Sequence, residues 1–245
     1  GVDYDRLRKS YGGRLGLLLA LDAEKRVLLP GKAGPVSLPE PEFALLVRVR
    51  DAYLFETLKA KLPPRAQART SEAGGLKKIA FPRLPTPLPL EPVVVQKGEW
   101  LIAASRPGLA DRILDVRAAR LGDGAAFRRI SRRAPRRGNG FGYADPQLAR
   151  LLAQVLRENG AGLQPRPALE RIASLLEQGQ GLYWVLENSD QGLLYTIHHG
   201  LAISSLPGLI EAFVQIAAEQ EKKKAANAGA EAPAGLAQEN PPGAL

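Results

Sequence analysis

The stretch LLVRVRDAYLFETLKAKL, Leu45 to Leu62, decides the fold. Val47 and Val49 alternate with Arg48 and Arg50 at the period of a strand, and Leu54, Phe55, Leu58 and Leu62 then recur at the three- and four-residue spacing of a helix. Asp51 stands at the joint, where a carboxylate accepts N–H groups of a first helical turn, and Pro63 with Pro64 stops the helix. The strand reading extends back to Phe43.

The same unit returns twice. WLIAASRPGLADRILDV, Trp100 to Val116, places Pro107 in the first helical turn behind an apolar strand. GFGYADPQLARLLAQVL, Gly140 to Leu156, places Asp145 and Pro146 as cap and first-turn residue ahead of Leu148, Leu151, Leu152, Val155 and Leu156. Three strand-to-helix units define an α+β architecture. None carries a nucleophile elbow, a metal cluster or a phosphate loop at its joint.

Hairpins fill the sheet between these units. Val93 to Ala104 folds about Gln96 to Glu99, where Gly98 supplies a positive φ, and Leu182 to Ile203 folds about Asn188 to Gly192. Leu15 to Leu21 and Val27 to Leu29 read as a further hairpin about Asp22 to Arg26, followed by a proline-bearing loop over residues 30–41. Residues 63–75 read as an exposed excursion. The run PRLPTPLPLEP, Pro82 to Pro92, reads as a semi-rigid connector, because each proline removes a ladder donor. Helices are expected around Gly124 to Arg133, after Pro167 and after Pro207. From Lys222 onward large apolar residues all but vanish, which predicts a disordered tail. The result is a single α+β domain over residues 1–221, its mixed sheet largely antiparallel, with room for two similar lobes meeting near residues 82–92 and a tail over 222–245.

Composition narrows the chemistry. The chain has 245 residues, 45% apolar, and no cysteine, so disulfides, thiolate metal sites and cysteine nucleophiles are excluded. Methionine is absent and the first residue is Gly1, which fits a mature fragment, a trimmed chain or a sequence lacking modified methionines. The run Leu15 to Leu21 is too short to span a bilayer, which takes about 20 residues. A net charge of +9 favours nucleic acid, anionic lipid or acidic partners without choosing among them. The richness in Ala, Leu, Arg, Gly and Pro also matches a GC-rich bacterial genome, which accounts for part of the arginine excess.

The densest charge lies in FRRISRRAPRR, where Arg128, Arg129, Arg132, Arg133, Arg136 and Arg137 fall within ten positions. On a helix, Arg128 with Arg132 and Arg129 with Arg133 are one turn apart, a spacing that suits phosphates or another polyanion. The plainer reading is a solvated helix face. No helix-turn-helix, zinc-finger or RNA-recognition pattern accompanies it. His198 and His199 are neighbours on a strand and point to opposite faces, which argues against a shared metal. Ser105, Ser131, Ser174, Ser204 and Ser205 lie outside any Gly-x-Ser-x-Gly elbow, and Ser105 at its joint reads as a helix-start residue. Gly138, Gly140 and Gly142 enter a strand instead of leaving one, and Lys32 lacks the first glycine of a phosphate loop, since Arg26 stands there. Catalytic, cofactor and metal residues are therefore not assigned. Tyr183, Trp184 and Tyr195 mark an interface if exposed and core if buried.

The runs WLIAASRPGLADRILD, LGDGAAFRRISRRAP and GNGFGYADPQLARLL together resemble a family of bacterial exported proteins of unknown function, over Glu99 to Leu156. That resemblance implies a periplasmic or envelope location, a repeated α+β module and no catalytic residues to transfer. The arginine run departs from the family pattern. Three functional readings follow: a non-enzymatic binding or scaffold module of the cell envelope contacting a protein or polyanion, a serine hydrolase joining Ser105 to His198 or His199 only in the fold, and a nucleic-acid binder using the arginine segment.

Overall fold

All three strand-to-helix units form. The computed structural model describes residues 3–31, 34–115, 117, 120–132, 135, 138–159, 165–200 and 206–230. In chain order the elements are α1 (Tyr4–Ser10), β1 (Tyr11–Leu29), β2 (Val36–Val49), α2 (Tyr53–Ala60), β3 (Arg69–Ala73), β4 (Leu76–Ala80), β5 (Val93–Lys97), β6 (Trp100–Ala104), α3 (Pro107–Leu114), α4 (Ala125–Ser131), β7 (Gly140–Ala144), α5 (Pro146–Asn159), α6 (Arg166–Gln178), β8 (Leu182–Ser189), β9 (Gly192–His199) and α7 (Leu206–Ala230). They build an α+β fold on two antiparallel sheets, one ordered β1-β2-β6-β5-β4-β3 and the other β7-β8-β9.

The first sheet carries one short helix on each face, with the end of α5 against β1 and β2. Ala44, Val93, Val95, Ile102 and Ala104 join Leu109 and Ala110 of α3 in one cluster, and Leu18 and Leu46 pack at its margin. On the opposite face Val49, Ile79 and Leu101 surround Phe55 of α2. Asp51 fixes the entry to α2 from one residue before the cap: it accepts the Tyr53 N–H at 3.0 Å, takes the Ser10 hydroxyl, and pairs with Arg6 at 2.9 Å. One carboxylate thereby ties α1 to α2. The even-numbered face of β2 turns acidic beyond the core, where buried Glu42 and Glu40 meet Arg112 of α3 and Arg106 at its cap.

Four expectations change. Asp22 to Arg26 is a bulge within one long β1 and not a hairpin turn, because pairing passes from Asp22↔Glu40 directly to Arg26↔Pro39. The Asp22 carboxylate closes that bulge by accepting the Glu24 N–H and Lys25 Nζ, the same local bonds that make such a sequence look like a turn. The expected loop over 30–41 already belongs to β2 from Val36 onward. Its prolines fit for a geometric reason: odd-numbered β2 residues aim their backbone toward β6, and Pro39 and Pro41 lie beyond the end of β6, where no ladder donor is needed. The excursion over 63–75 contains β3, which turns into β4 through Gly74 and Gly75 at φ 58° and 75°. The last helix, α7, continues past Lys222 to Ala230, as the helix-forming Lys-Ala composition permits. The rest of the expected tail, residues 231–245, lies outside the described residues, as do 201–203 of the expected final strand.

The proline-rich segment 82–92 joins β4 to β5, which are neighbours in one sheet. The helical half reaches that sheet through the end of α5: Glu158 pairs with Arg26, while the Asn159 amide accepts the Ser37 N–H and donates to the Ser37 carbonyl. Arg157 holds α6 through Glu170 and Glu177, and Arg171 holds α7 through Glu211. No helix among the described residues is long and apolar enough to cross a membrane.

Cavity creation should separate the core from the open edge of the sheet. Ile102→Ala, at a side chain only 1% exposed, is expected to lose about 2–5 kcal/mol in urea unfolding. Leu28→Ala, at a 65% exposed position, is expected to change stability by less than about 0.5 kcal/mol.

Candidate functional site

Helix α4 lies on the second sheet by an inner stripe of two residues. Phe127 and Ile130, three apart, pack against Tyr143, Tyr183 and Val185. Phe127 meets the Tyr143 and Tyr183 rings edge-on, at centroid distances of 5.2 and 5.7 Å. Burying that stripe turns Arg128, Arg129 and Arg132 outward, and all three are exposed. Arg133, Arg136 and Arg137, the rest of the arginine run, lie outside the described residues.

What distinguishes this face is the lack of counter-charge. Elsewhere cations meet carboxylates: Arg48 pairs with Glu99 at 2.7 Å, Lys77 with Glu56, Arg106 with Glu40, Arg112 with Glu42, and Arg157 with two glutamates. Arg128, Arg129 and Arg132 have neither an ion pair nor a hydrogen-bond partner among the described residues. Other unpaired cations, such as Arg14, Arg50, Arg83 and Lys97, sit on different elements. On α4 and its C-cap, Arg132, three fall within five positions.

The floor beside the arginines is polar as well as aromatic. The Tyr143 hydroxyl donates to Asp145 Oδ2 at 2.9 Å, and Asp145 Oδ1 accepts the Gln147 N–H at 2.7 Å, capping α5. Burial pushes the Tyr143 phenol up to about 12, the bond to Asp145 adds to the rise, and the Arg129 charge works against it. His198 stands across from Tyr183 in the same row of the sheet, and its Nε2 is buried without a hydrogen-bond partner. The sequence reading treats Asp145 only as a helix cap and misses its link to Tyr143. A tyrosine two residues ahead of a capping aspartate is the signal that was there to find.

Ser105 and Ser131, two of the nucleophile candidates, are engaged elsewhere. Ser105 is buried at the end of β6, where its hydroxyl accepts the Phe43 N–H at 3.1 Å and its own N–H donates to the Phe43 carbonyl. Ser131 donates to the Phe127 carbonyl one turn back in α4. No serine among the described residues hydrogen-bonds to a histidine, and Ser204 and Ser205 lie outside them. His198 and His199 sit opposite Tyr183 and Leu182 on opposite faces of β9, and the described residues contain no group of three or more His, Asp or Glu able to hold a metal. The outer face of this sheet carries Trp184 against Tyr195 at 5.6 Å, with the indole lying so close over Gly142 that no side chain fits there. Tyr183 is core, whereas Tyr195 is exposed.

No protein-family model, curated protein or solved structure matches this chain, so the functional reading rests on its own residues.

The buried phenol gives the site a measurable alkaline signature. Because folding raises the Tyr143 pKa above its ordinary value of 10.0, its stabilising contribution is complete below about pH 10 and is lost as the pH rises through about 12. Ultraviolet titration of tyrosinate should show a last step near pH 12 that disappears in Tyr143→Phe. Loss of folded stability between pH 10 and 12 should be correspondingly shallower in that variant.

Proposed function

We propose that this protein is a non-enzymatic binding module of the bacterial cell envelope, and that the α4 face takes a polyanionic polymer. The observation that carries the reading is the trio Arg128, Arg129 and Arg132, exposed on a helix anchored by Phe127 and Ile130 and lacking carboxylate partners among the described residues. Guanidinium groups are planar, permanently charged and weakly hydrated, so such a set binds phosphate, sulfate or carboxylate oxygens bidentately without first breaking internal pairs. The rigid aromatic floor keeps the helix in place as ligand approaches. The envelope location is the part of the proposal that the resemblance over Glu99 to Leu156 implies.

The mode of contact is electrostatic attraction to a repeating anion, with no bond made or broken. Affinity then depends on counterion release and falls steeply with salt. An enzymatic reading gains no comparable support, since Ser105 spends its hydroxyl on the Phe43 backbone.

Fluorescence anisotropy with labelled polyphosphate tests the proposal. Affinity should drop by at least about tenfold between roughly 50 and 200 mM salt. Arg128→Ala/Arg129→Ala/Arg132→Ala should weaken binding by a further tenfold or so and flatten the salt slope, with the circular dichroism spectrum unchanged. Salt-independent binding, or a triple variant that binds like the parent, would overturn the reading. A single-stranded DNA bound much more tightly than polyphosphate of equal charge would reassign the face to nucleic acid.

A further inference from the structure

Strand β1 is an edge strand whose outer side pairs with no other strand of the sheet. Its central segment reads Arg14-Leu15-Gly16-Leu17-Leu18-Leu19-Ala20-Leu21-Asp22, which is nearly its own reverse about Leu18. Leu17 mirrors Leu19, Gly16 mirrors Ala20, Leu15 mirrors Leu21, and the cation Arg14 mirrors the anion Asp22. The two register irregularities of β1, between Tyr11 and Leu15 and between Asp22 and Arg26, bracket this segment almost symmetrically. We infer that β1 pairs with β1 of a second copy, antiparallel about a two-fold axis at Leu18, to make one continuous sheet across a homodimer.

Backbone direction supports that register independently. Phe43 directs both its N–H and its C=O toward Ser105, on the β6 side of β2. Its β1 partner, Leu19, therefore sits at a position not bonded to β2, and by alternation Leu15, Leu17, Leu19 and Leu21 all aim their N–H and C=O groups at the free edge. Under the two-fold, Leu17 meets Leu19 of the other copy and Leu15 meets Leu21, so every outward group finds an outward group. A shift of one residue would set outward groups against inward ones. Leu18 then faces its own equivalent as a non-hydrogen-bonded pair, with Cα atoms about 4.5 Å apart.

The side chains favour the same occupant. Leu15, Leu17 and Leu19 are 67%, 80% and 60% exposed, with Phe43 at 42% and Leu45 at 40% beside them on the same face. Edge pairing sets Leu17 beside Leu19 and Leu15 beside Leu21 of the other copy on one face, so the apolar stripe continues across the axis as cross-strand pairs. Arg14 has no partner among the described residues, and the two-fold brings it opposite Asp22 of the other copy on both sides of the axis. An isologous contact asks for this kind of self-complementarity, whereas an unrelated partner does not. A long apolar edge without Lys, Pro or an inward charge in its middle is also a poor edge to leave open.

The chain contains no cysteine, which makes the test specific. Leu18→Cys should form a disulfide-linked dimer on mild oxidation, because the expected Cα separation lies within disulfide range. Leu28→Cys, on the same strand but far from its own symmetry mate, should stay uncross-linked. In analytical ultracentrifugation the parent should be dimeric. Leu17→Lys should raise the dimer dissociation constant by about tenfold or more. Arg14→Asp, which sets anion against anion across the axis, should weaken the dimer at low salt and do so less at high salt, a recovery that a loss of folding cannot produce. A parent that stays monomeric at high concentration, or equal cross-linking at positions 18 and 28, would overturn the inference. A monomer that instead floats with anionic vesicles would also overturn it and assign the face to lipid. The dimer test is independent of the α4 reading, since α4 packs on the other sheet.

Discussion

Strand β2 is covered from opposite sides at different points along its length, and the rest of the first sheet follows from that. Ala44 is sealed on the α3 face and Val49 on the α2 face, both at 1% exposure or less. A helix roughly 10 Å wide covers about two strands spaced about 4.8 Å apart, so one short helix per face leaves much of six strands bare. The bare part falls on β1 and on Phe43 and Leu45 of β2. An uncovered apolar face beside an unpaired edge is therefore built into the way α2 and α3 are placed. It is not a packing fault at one residue.

Much of this architecture is legible in the sequence because local and tertiary signals agree. The three strand-to-helix joints are marked by capping residues and prolines, Asp51, Pro107, and Asp145 with Pro146, and all three form within a residue or two of where they are read. The hairpins at Gly98 and Gly192 announce themselves by glycines at φ 57° and 129°. The misreadings along β1 and β2 share one cause: a local signal outweighed by strand pairing. Asp22 makes turn-like bonds inside a continuous strand, and Pro39 and Pro41 look like strand breakers until β6 is seen to end short of them. Whether an element is covered is harder still to read. Leu15 to Leu21 is unmistakably a strand, but nothing in one residue string tells which of its faces meets α3 and which meets solvent.

Charge is organised in two ways. Across the body of the fold it is spent on tying elements together, α1 to α2 through Arg6 and Asp51, α5 to α6 through Arg157, and α6 to α7 through Arg171. Exposed pairs of this kind add little stability individually, but each one removes a cation from the pool available to a ligand. Arg128, Arg129 and Arg132 on α4 are outside that scheme. The sequence reading picks out their density, while their lack of partners among the described residues is visible only once the carboxylates around them have positions. The same holds for Tyr143, whose burial and bond to Asp145 need both the strand and the helix in place.

Hydrogen exchange across Leu15 to Asp22, followed as a function of protein concentration, probes the open edge most directly. The amides of Leu17 and Leu19 point away from β2, so in an isolated chain they exchange quickly while those of Gly16, Leu18 and Ala20 are protected by the sheet. Self-association through β1 predicts that Leu17 and Leu19 gain protection at high concentration and lose it on dilution, with Leu18 unchanged throughout. Rapid exchange of Leu17 and Leu19 at every concentration would contradict it and leave this edge open to solvent.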